Sequence, residues 1–191
     1  EFGSPVDAVC LDCFISPEKG DQDWERPDVI DYVALLEQLQ GLKATLAKAA
    51  RVPVELRMGV RNASSDVAKG RSGALLADGP VCVMAEGYLL FHDKQVCDMM
   101  DGHIWIQADL ETCMARRRKR KKRNSASKGN FDRWYREEVW PAFQRYRETQ
   151  LRNAPGALHL DGATPLAELV RLATDHLREK LPHLPRAEAR E

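Results

Sequence analysis

The chain alternates between short unbroken apolar runs and longer stretches in which apolar residues recur every three or four positions. The most continuous run is Val81-Cys82-Val83-Met84-Ala85, which meets an acid, Glu86, and then Gly87. Five apolar residues without a polar break suit a strand buried on both faces of a parallel sheet. Residues 6–11, apolar apart from Asp7, form a short segment ending at Asp12, and residues 52–58, 103–108 and 157–160 read as further strands. Helical patterns lie between them. Val29, Val33, Leu36 and Leu39 make a core-facing stripe on a helix that starts near Pro27 and Asp28, with Gly41 interrupting it before residues 42–50. Residues 92–100 read as helical, and Asp109 caps the next helix with Glu111 in its first turn. Residues 132–152 form a long charged helix with Tyr135, Val139, Phe143 and Tyr146 on one stripe, kinked or restarted at Pro141. Thr164 caps a last helix, with Pro165 at its first position and Leu166, Leu169, Val170, Ala173 and Leu177 as its buried stripe. Residues 18–22, 62–79 and 125–130 read as loops.

Strands alternating with helices imply an α/β fold with a parallel sheet covered on both faces. The expected domain runs over residues 6–181. Residues 1–5 look like a cloning remnant, and the prolines and charges of residues 182–191 suggest a frayed tail.

Charge refines this picture through its distribution. Lysine plus arginine equals aspartate plus glutamate at 29 each, so the balance gives no sign of nucleic acid or membrane. Yet residues 116–123 are eight consecutive cations, on a segment expected to be helical. Taken alone, this run reads as a solvated helix face or a nucleic-acid patch. Arg116 and Arg120, one turn apart, share a face and could converge on one anion. The five cysteines are odd in number and irregular in spacing, which implies reduced thiols and an intracellular setting, cytoplasmic or organellar. Cys10 and Cys13 form a C-x-x-C spacing, but a redox or zinc role needs a turn or a second pair, and the sequence shows neither. No apolar run approaches a membrane span.

Asp12, Glu25 and Glu86 are three acids at or just past expected strand ends. In an open α/β sheet ligands bind at the carboxyl ends of strands. A carboxylate there is costly unless it holds a metal, a basic partner or a substrate hydroxyl. Acids at strand ends together with a cationic helix suit phosphoryl transfer, which needs a base, a metal and positive charge over the moving group.

These segments, taken in order, resemble the nicotinamide riboside kinases within the uridine kinase-like group of P-loop nucleoside kinases. Leu11-Asp12-Cys13-Phe14-Ile15-Ser16-Pro17 is similar to that family's Asp-Asp-Phe-Phe-x-Pro segment, and Asp23-Trp24-Glu25 to its aromatic-acid pair. Ala85-Glu86-Gly87-Tyr88-Leu89-Leu90-Phe91 resembles its Glu-Gly-Phe-Leu-Leu-Phe strand end, and Arg116-Arg117-Arg118-Lys119-Arg120 its lid helix. Gly129-Asn130-Phe131-Asp132, Val139-Trp140-Pro141 and Leu158-His159-Leu160-Asp161-Gly162 follow in the family's order.

The resemblance implies a three-layer α/β/α fold with a lid over about residues 113–140. It also implies ATP-dependent 5′-phosphorylation of nicotinamide riboside or a pyrimidine nucleoside, with magnesium. Asp12 would be the base and Glu25 would hold ribose hydroxyls. Phe14 and Trp24 would flank the base-like ring, Glu86 would sit near magnesium, and Arg116 and Arg120 would close over the ATP phosphates.

The departures are specific. Cys13 stands where the family has a second acid, Ile15 where it has a second Phe, and Glu25 where it has an aspartate. Residues including Trp134 are added between Asp132 and Val139. A P-loop, G-x-x-x-x-G-K-[ST], should precede Val6 by roughly twenty residues, and the pattern occurs nowhere in the sequence. The expectation is therefore a kinase fold without its P-loop strand and helix. Either the natural protein continues upstream, or a protein partner or a rearranged strand fills the gap. An inactive relative kept as a structural subunit is the alternative, and an RNA-binding protein a weaker one.

Overall fold

The computed structural model describes residues 8–16, 25–50, 83–121 and 131–181. The strand expected at 52–58, the loops at 18–22, 62–79 and 125–130, and both termini lie outside the described residues.

Strand β1 (Val9–Cys10) pairs in parallel with β2 (Ala85–Glu86), so that Cys10 stands opposite Glu86. Strands β3 (Ile104–Gln107) and β4 (Leu158–Asp161) form a second parallel pair. Parallel pairing follows from the helices that separate the strands in sequence. Among the described residues each strand is paired on one edge only. Mixed helix and strand with parallel pairs was expected, and a single continuous sheet is not seen among the described residues.

The helices are α1 (Tyr32–Ala50), α2 (Lys94–Met99), α3 (Leu110–Lys121), α4 (Phe131–Trp134), α5 (Trp140–Asn153) and α6 (Leu166–Lys180). Short 3₁₀ turns cover Leu11–Phe14, Pro27–Val29 and Leu90–His92. Helix α1 starts four residues later than its apolar stripe suggested. Pro27 opens a 3₁₀ turn instead, and the Asp31 carboxylate accepts from Ala34 N–H at 2.9 Å to cap the helix. Of the expected stripe Val29 and Leu39 are buried and Leu36 packs against the core, whereas Val33 stands 67% exposed and Leu35 is buried in addition. Gly41 does not interrupt the helix, which runs through it.

Helix α3 begins as expected, with the Asp109 carboxylate accepting from Thr112 N–H at 2.8 Å. Pro141 also acts as expected. It has no N–H to donate, and the five residues before α5, Tyr135–Val139, form a π-helical turn joining α4 to α5. The last helix departs from expectation. Thr164 does not cap it; the Asp161 carboxylate instead accepts from Ala163 N–H at 2.8 Å in the turn before. Its stripe is not buried, since Leu166 and Val170 face solvent among the described residues.

The apolar side chains gather in two clusters. The larger joins Leu11, Val29, Leu35, Leu39, Leu89, Phe91, Val96 and Trp105 across both strand pairs. The smaller is a satellite of Met114, Phe131, Tyr135 and Val139, which packs α3 against α4 and the π turn. Among the described residues no helix is long and apolar enough to cross a membrane.

Candidate functional site

Two acids stand at the carboxyl ends of the first strand pair. Glu86 ends β2, and Asp12 follows β1 after one residue, on the first 3₁₀ turn; both are exposed. Between them the two segments pass closely. A Cβ at Gly87 would lie 2.3 Å from Leu11 Cβ, a separation that side chains do not tolerate. Leu11 is itself fully buried, so it has no room to retreat. Only glycine lets the chain leave β2 across Leu11.

The Cys10 thiol, opposite Glu86, donates to its carboxylate. That hydrogen bond, with burial adding to it, raises the thiol's pKa to about 11. Of the run expected to be buried on both faces, Val83 and Ala85 are half-buried and Met84 is 61% exposed, while Val81 and Cys82 lie outside the described residues.

The turn bearing Asp12 is tied by backbone bonds to the segment carrying Glu25. Ser16 N–H donates to the Val29 carbonyl and Asp31 N–H to the Phe14 carbonyl, each at 2.8 Å, and Ile15 bridges Ile30 antiparallel. Phe14 is half-buried and packs against the larger apolar cluster. Glu25 is half-buried on the turn before Pro27. Trp24 lies outside the described residues.

Glu25 reaches the satellite cluster electrostatically. Burial raises the Tyr135 phenol above its ordinary range, and the charges of Cys113 and Glu25 raise it further. The Tyr135 hydroxyl donates to the Cys113 sulfur, whose own pKa is raised by burial. A cleft of about 360 Å³ lined by Ser16, Val29, Ile30, Asp31, Tyr32 and Val33 adjoins the same segment. Neither Asp12 nor Glu86 lines it, so the strand ends rather than this cleft carry the candidate chemistry.

The cationic helix is placed elsewhere. Arg116 Nη2 donates to the Gly162 carbonyl at 2.5 Å, and Gly162 N–H donates to the Gln107 carbonyl at 2.6 Å. Arg116 is thus anchored at the carboxyl ends of β3 and β4. Arg120 lies one turn on in α3, and its side chain is outside the described set. Arg118 pairs with Asp132 and Arg136 with Glu111, linking α3 to α4 and to the π turn.

The structure therefore places Asp12 and Glu86 at the same strand ends and ties the Glu25 segment to the Asp12 turn, while Arg116 stands at the other strand pair. Three neighbours escaped the sequence reading: Cys10 beside Glu86, Tyr135 near Glu25, and Gly162 as the acceptor for Arg116. Only Gly162 carried a signal, as part of the Asp161-Gly162 strand end.

Among the described residues no group of three His, Cys, Asp or Glu side chains could hold a metal ion. Magnesium does not need one, since it is commonly bound through one or two carboxylates, waters and substrate phosphates. The exposed carboxylates of Glu86 and Asp12 fit that mode.

No protein-family model matches the chain. It is 25% identical to nicotinamide riboside kinase 2 of Homo sapiens over 181 residues, covering 95% of this chain and 68% of that protein. It is 25% identical to a uridine kinase of Shewanella denitrificans over 170 residues, covering 87% of the chain and 72% of that protein. A uridine kinase of Saccharomyces cerevisiae matches at 29% over 105 residues, which is 54% of the chain and 20% of that protein. The chain is a weak homologue of nicotinamide riboside kinase 2 and uridine kinase, in agreement with the resemblance its motifs carry.

Proposed function

We propose that this protein is a nucleoside kinase-like phosphotransferase whose chemistry centres on Asp12, with nicotinamide riboside or a pyrimidine nucleoside as acceptor and ATP as donor. The observation that supports this reading is that Asp12 and Glu86 stand at the carboxyl ends of two paired parallel strands. The homologous kinases, named for nicotinamide riboside and uridine, supply the acceptor class.

Asp12 is an exposed carboxylate on a short, backbone-braced turn. It can accept the proton of the nucleoside 5′-hydroxyl as that oxygen attacks phosphorus. Glu25, on the segment bonded to that turn, orients the ribose through its hydroxyls, with Phe14 and Trp24 beside the ring. Glu86 would hold magnesium, which supplies neutralisation of phosphate charge. Arg116 and Arg120 on α3 supply positive charge over the ATP phosphates.

The test is a phosphorylation assay with nicotinamide riboside, uridine and cytidine, each with Mg-ATP, on the full-length protein. Formation of one or more 5′-monophosphates is expected. Arg120→Ala should weaken the use of ATP and leave any RNA binding unchanged. Tight, steeply salt-dependent RNA binding lost on charge reversal of Lys119, Lys121 and Lys122 would replace the kinase reading with an RNA-binding one.

A second reading is an inactive kinase-like subunit, with a partner protein pairing along one of the strand edges left open among the described residues. Absence of product from the full-length protein, with a folded state intact, would favour that reading.

A further inference from the structure

The 3₁₀ turn at Asp12 gives meaning to a spacing that the sequence left without a role. Cys10 is the residue on which this turn begins, with extended backbone at φ −90° and ψ 124°, and Cys13 lies within the turn. Cys10 to Cys13 are the four residues of the first tight turn, and the end Cα atoms of such a turn stand less than about 7 Å apart. A disulfide spans roughly 4.4–6.8 Å, within that bound. Both cysteines are free thiols; Cys13 is exposed and Cys10 half-buried. Between them sits Asp12.

We propose that Cys10 and Cys13 are a redox pair that closes to a disulfide around Asp12 when the protein meets a hydroperoxide. The exposed Cys13 sulfur attacks the peroxide, the O–O bond breaks, and Cys13 becomes a sulfenic acid as the peroxide leaves as an alcohol or water. The Cys10 sulfur then attacks the Cys13 sulfur. The S–S bond forms, the S–O bond breaks, and water departs with the thiol proton. Two thiols are oxidised and one peroxide is reduced.

Two consequences reach the candidate site. Cys10 sulfur in a disulfide has no hydrogen to donate to Glu86, and Asp12 is caught in a closed four-residue loop. The effect on a nucleoside rests on the kinase reading above, whereas the disulfide does not. Thiol–disulfide exchange with a reduced dithiol restores both cysteines.

The test uses the whole protein treated with hydrogen peroxide, blocked with an alkylating reagent and cleaved with trypsin. No Lys or Arg separates Cys10 from Cys13, and Lys19 follows, so one peptide carries both and none of the other cysteines. Mass spectrometry should show that peptide lighter by two hydrogens and unalkylated, and alkylated at both sites after dithiothreitol. C10S and C13S should each abolish the lighter species. Cys13 found only as sulfinic acid, or paired with Cys82, Cys97, Cys113 or a second chain, would overturn the proposal.

In parallel, calorimetry with nicotinamide riboside and uridine compares oxidised and reduced protein. Binding weaker by roughly tenfold or more in the oxidised wild type, and unchanged in C13S, is the expected result. Equal binding in both forms would show that the disulfide does not control the site. No binding in either form would sink the kinase reading of Asp12 and leave the disulfide to be judged by its mass.

Discussion

Around Gly87 the backbone itself sets the geometry, whereas around Met114 a small group of side chains does. Gly87 passes so close to Leu11 that a methyl group cannot enter, and the Asp12 turn is bonded backbone to backbone across to residues 29–31. The arm formed by α3, α4 and the π turn rests instead on the small apolar satellite, on exposed ion pairs and on the Arg116 hydrogen bond to Gly162. Exposed ion pairs contribute little, and salt screens them. The contrast is between a pre-organised pair of acids and an arm whose attachment is local and easily loosened. Phosphoryl transfer uses both kinds of part, since the base must be fixed while the charges over the phosphates have to admit and release a nucleotide.

This contrast can be broken from the arm's side first. Met114 is fully buried, and it fills the centre of the satellite cluster. Met114→Ala should cost roughly 2–5 kcal/mol of the arm's local stability. Hydrogen exchange should quicken in α3 and α4 and stay slow around Leu11 and Leu89; uniform quickening would mean that the satellite and the main cluster unfold together.

From the other side, Gly87→Ala should lower global stability by roughly 1–3 kcal/mol in urea titration, because Leu11 must move from the main cluster. Wild-type stability in that variant would remove the close passage from the account. A smaller effect belongs to Arg118→Gln, which breaks the ion pair to Asp132. Its unfolding midpoint should be nearly unchanged at moderate salt, and a large drop would make the pair structural after all.

The smallest effect concerns acid. His92 packs between Tyr32 and Tyr146, and burial lowers its pKa below the ordinary 6.5. The unfolded chain therefore binds a proton at a higher pH than the folded one does. The contribution of neutral His92 is complete above about pH 6.5 and is lost as pH falls below it. His92→Phe should flatten this part of the stability profile between pH 7 and pH 5; an unchanged slope would assign it to other groups.

Much of this was legible in the sequence where a residue's role is local. The Asp109 cap, the break at Pro141 and the acids closing two apolar runs all depend on neighbours within a turn. What failed depended on distant partners. Val33 and Leu166 fit their helical periods, yet the faces they occupy have no covering element among the described residues. Met84 belongs to a run that reads as doubly buried, yet it is exposed among the described residues. The long-range neighbours of the site, Cys10 with Glu86 and Tyr135 with Glu25, have no spacing that could reveal them. The Cys10–Cys13 pair is an intermediate case: its spacing was plain, and the 3₁₀ turn that makes it usable was not.

The most direct test of the central claim compares turnover by wild type and Asp12→Asn in the full-length protein, with nucleoside and Mg-ATP at saturation. Asn keeps the shape of the exposed side chain and removes its capacity to take a proton. The account predicts a fall in kcat of ~10²–10⁴ with an unchanged unfolding midpoint. Near-normal turnover, or a loss that follows a loss of fold, would contradict it.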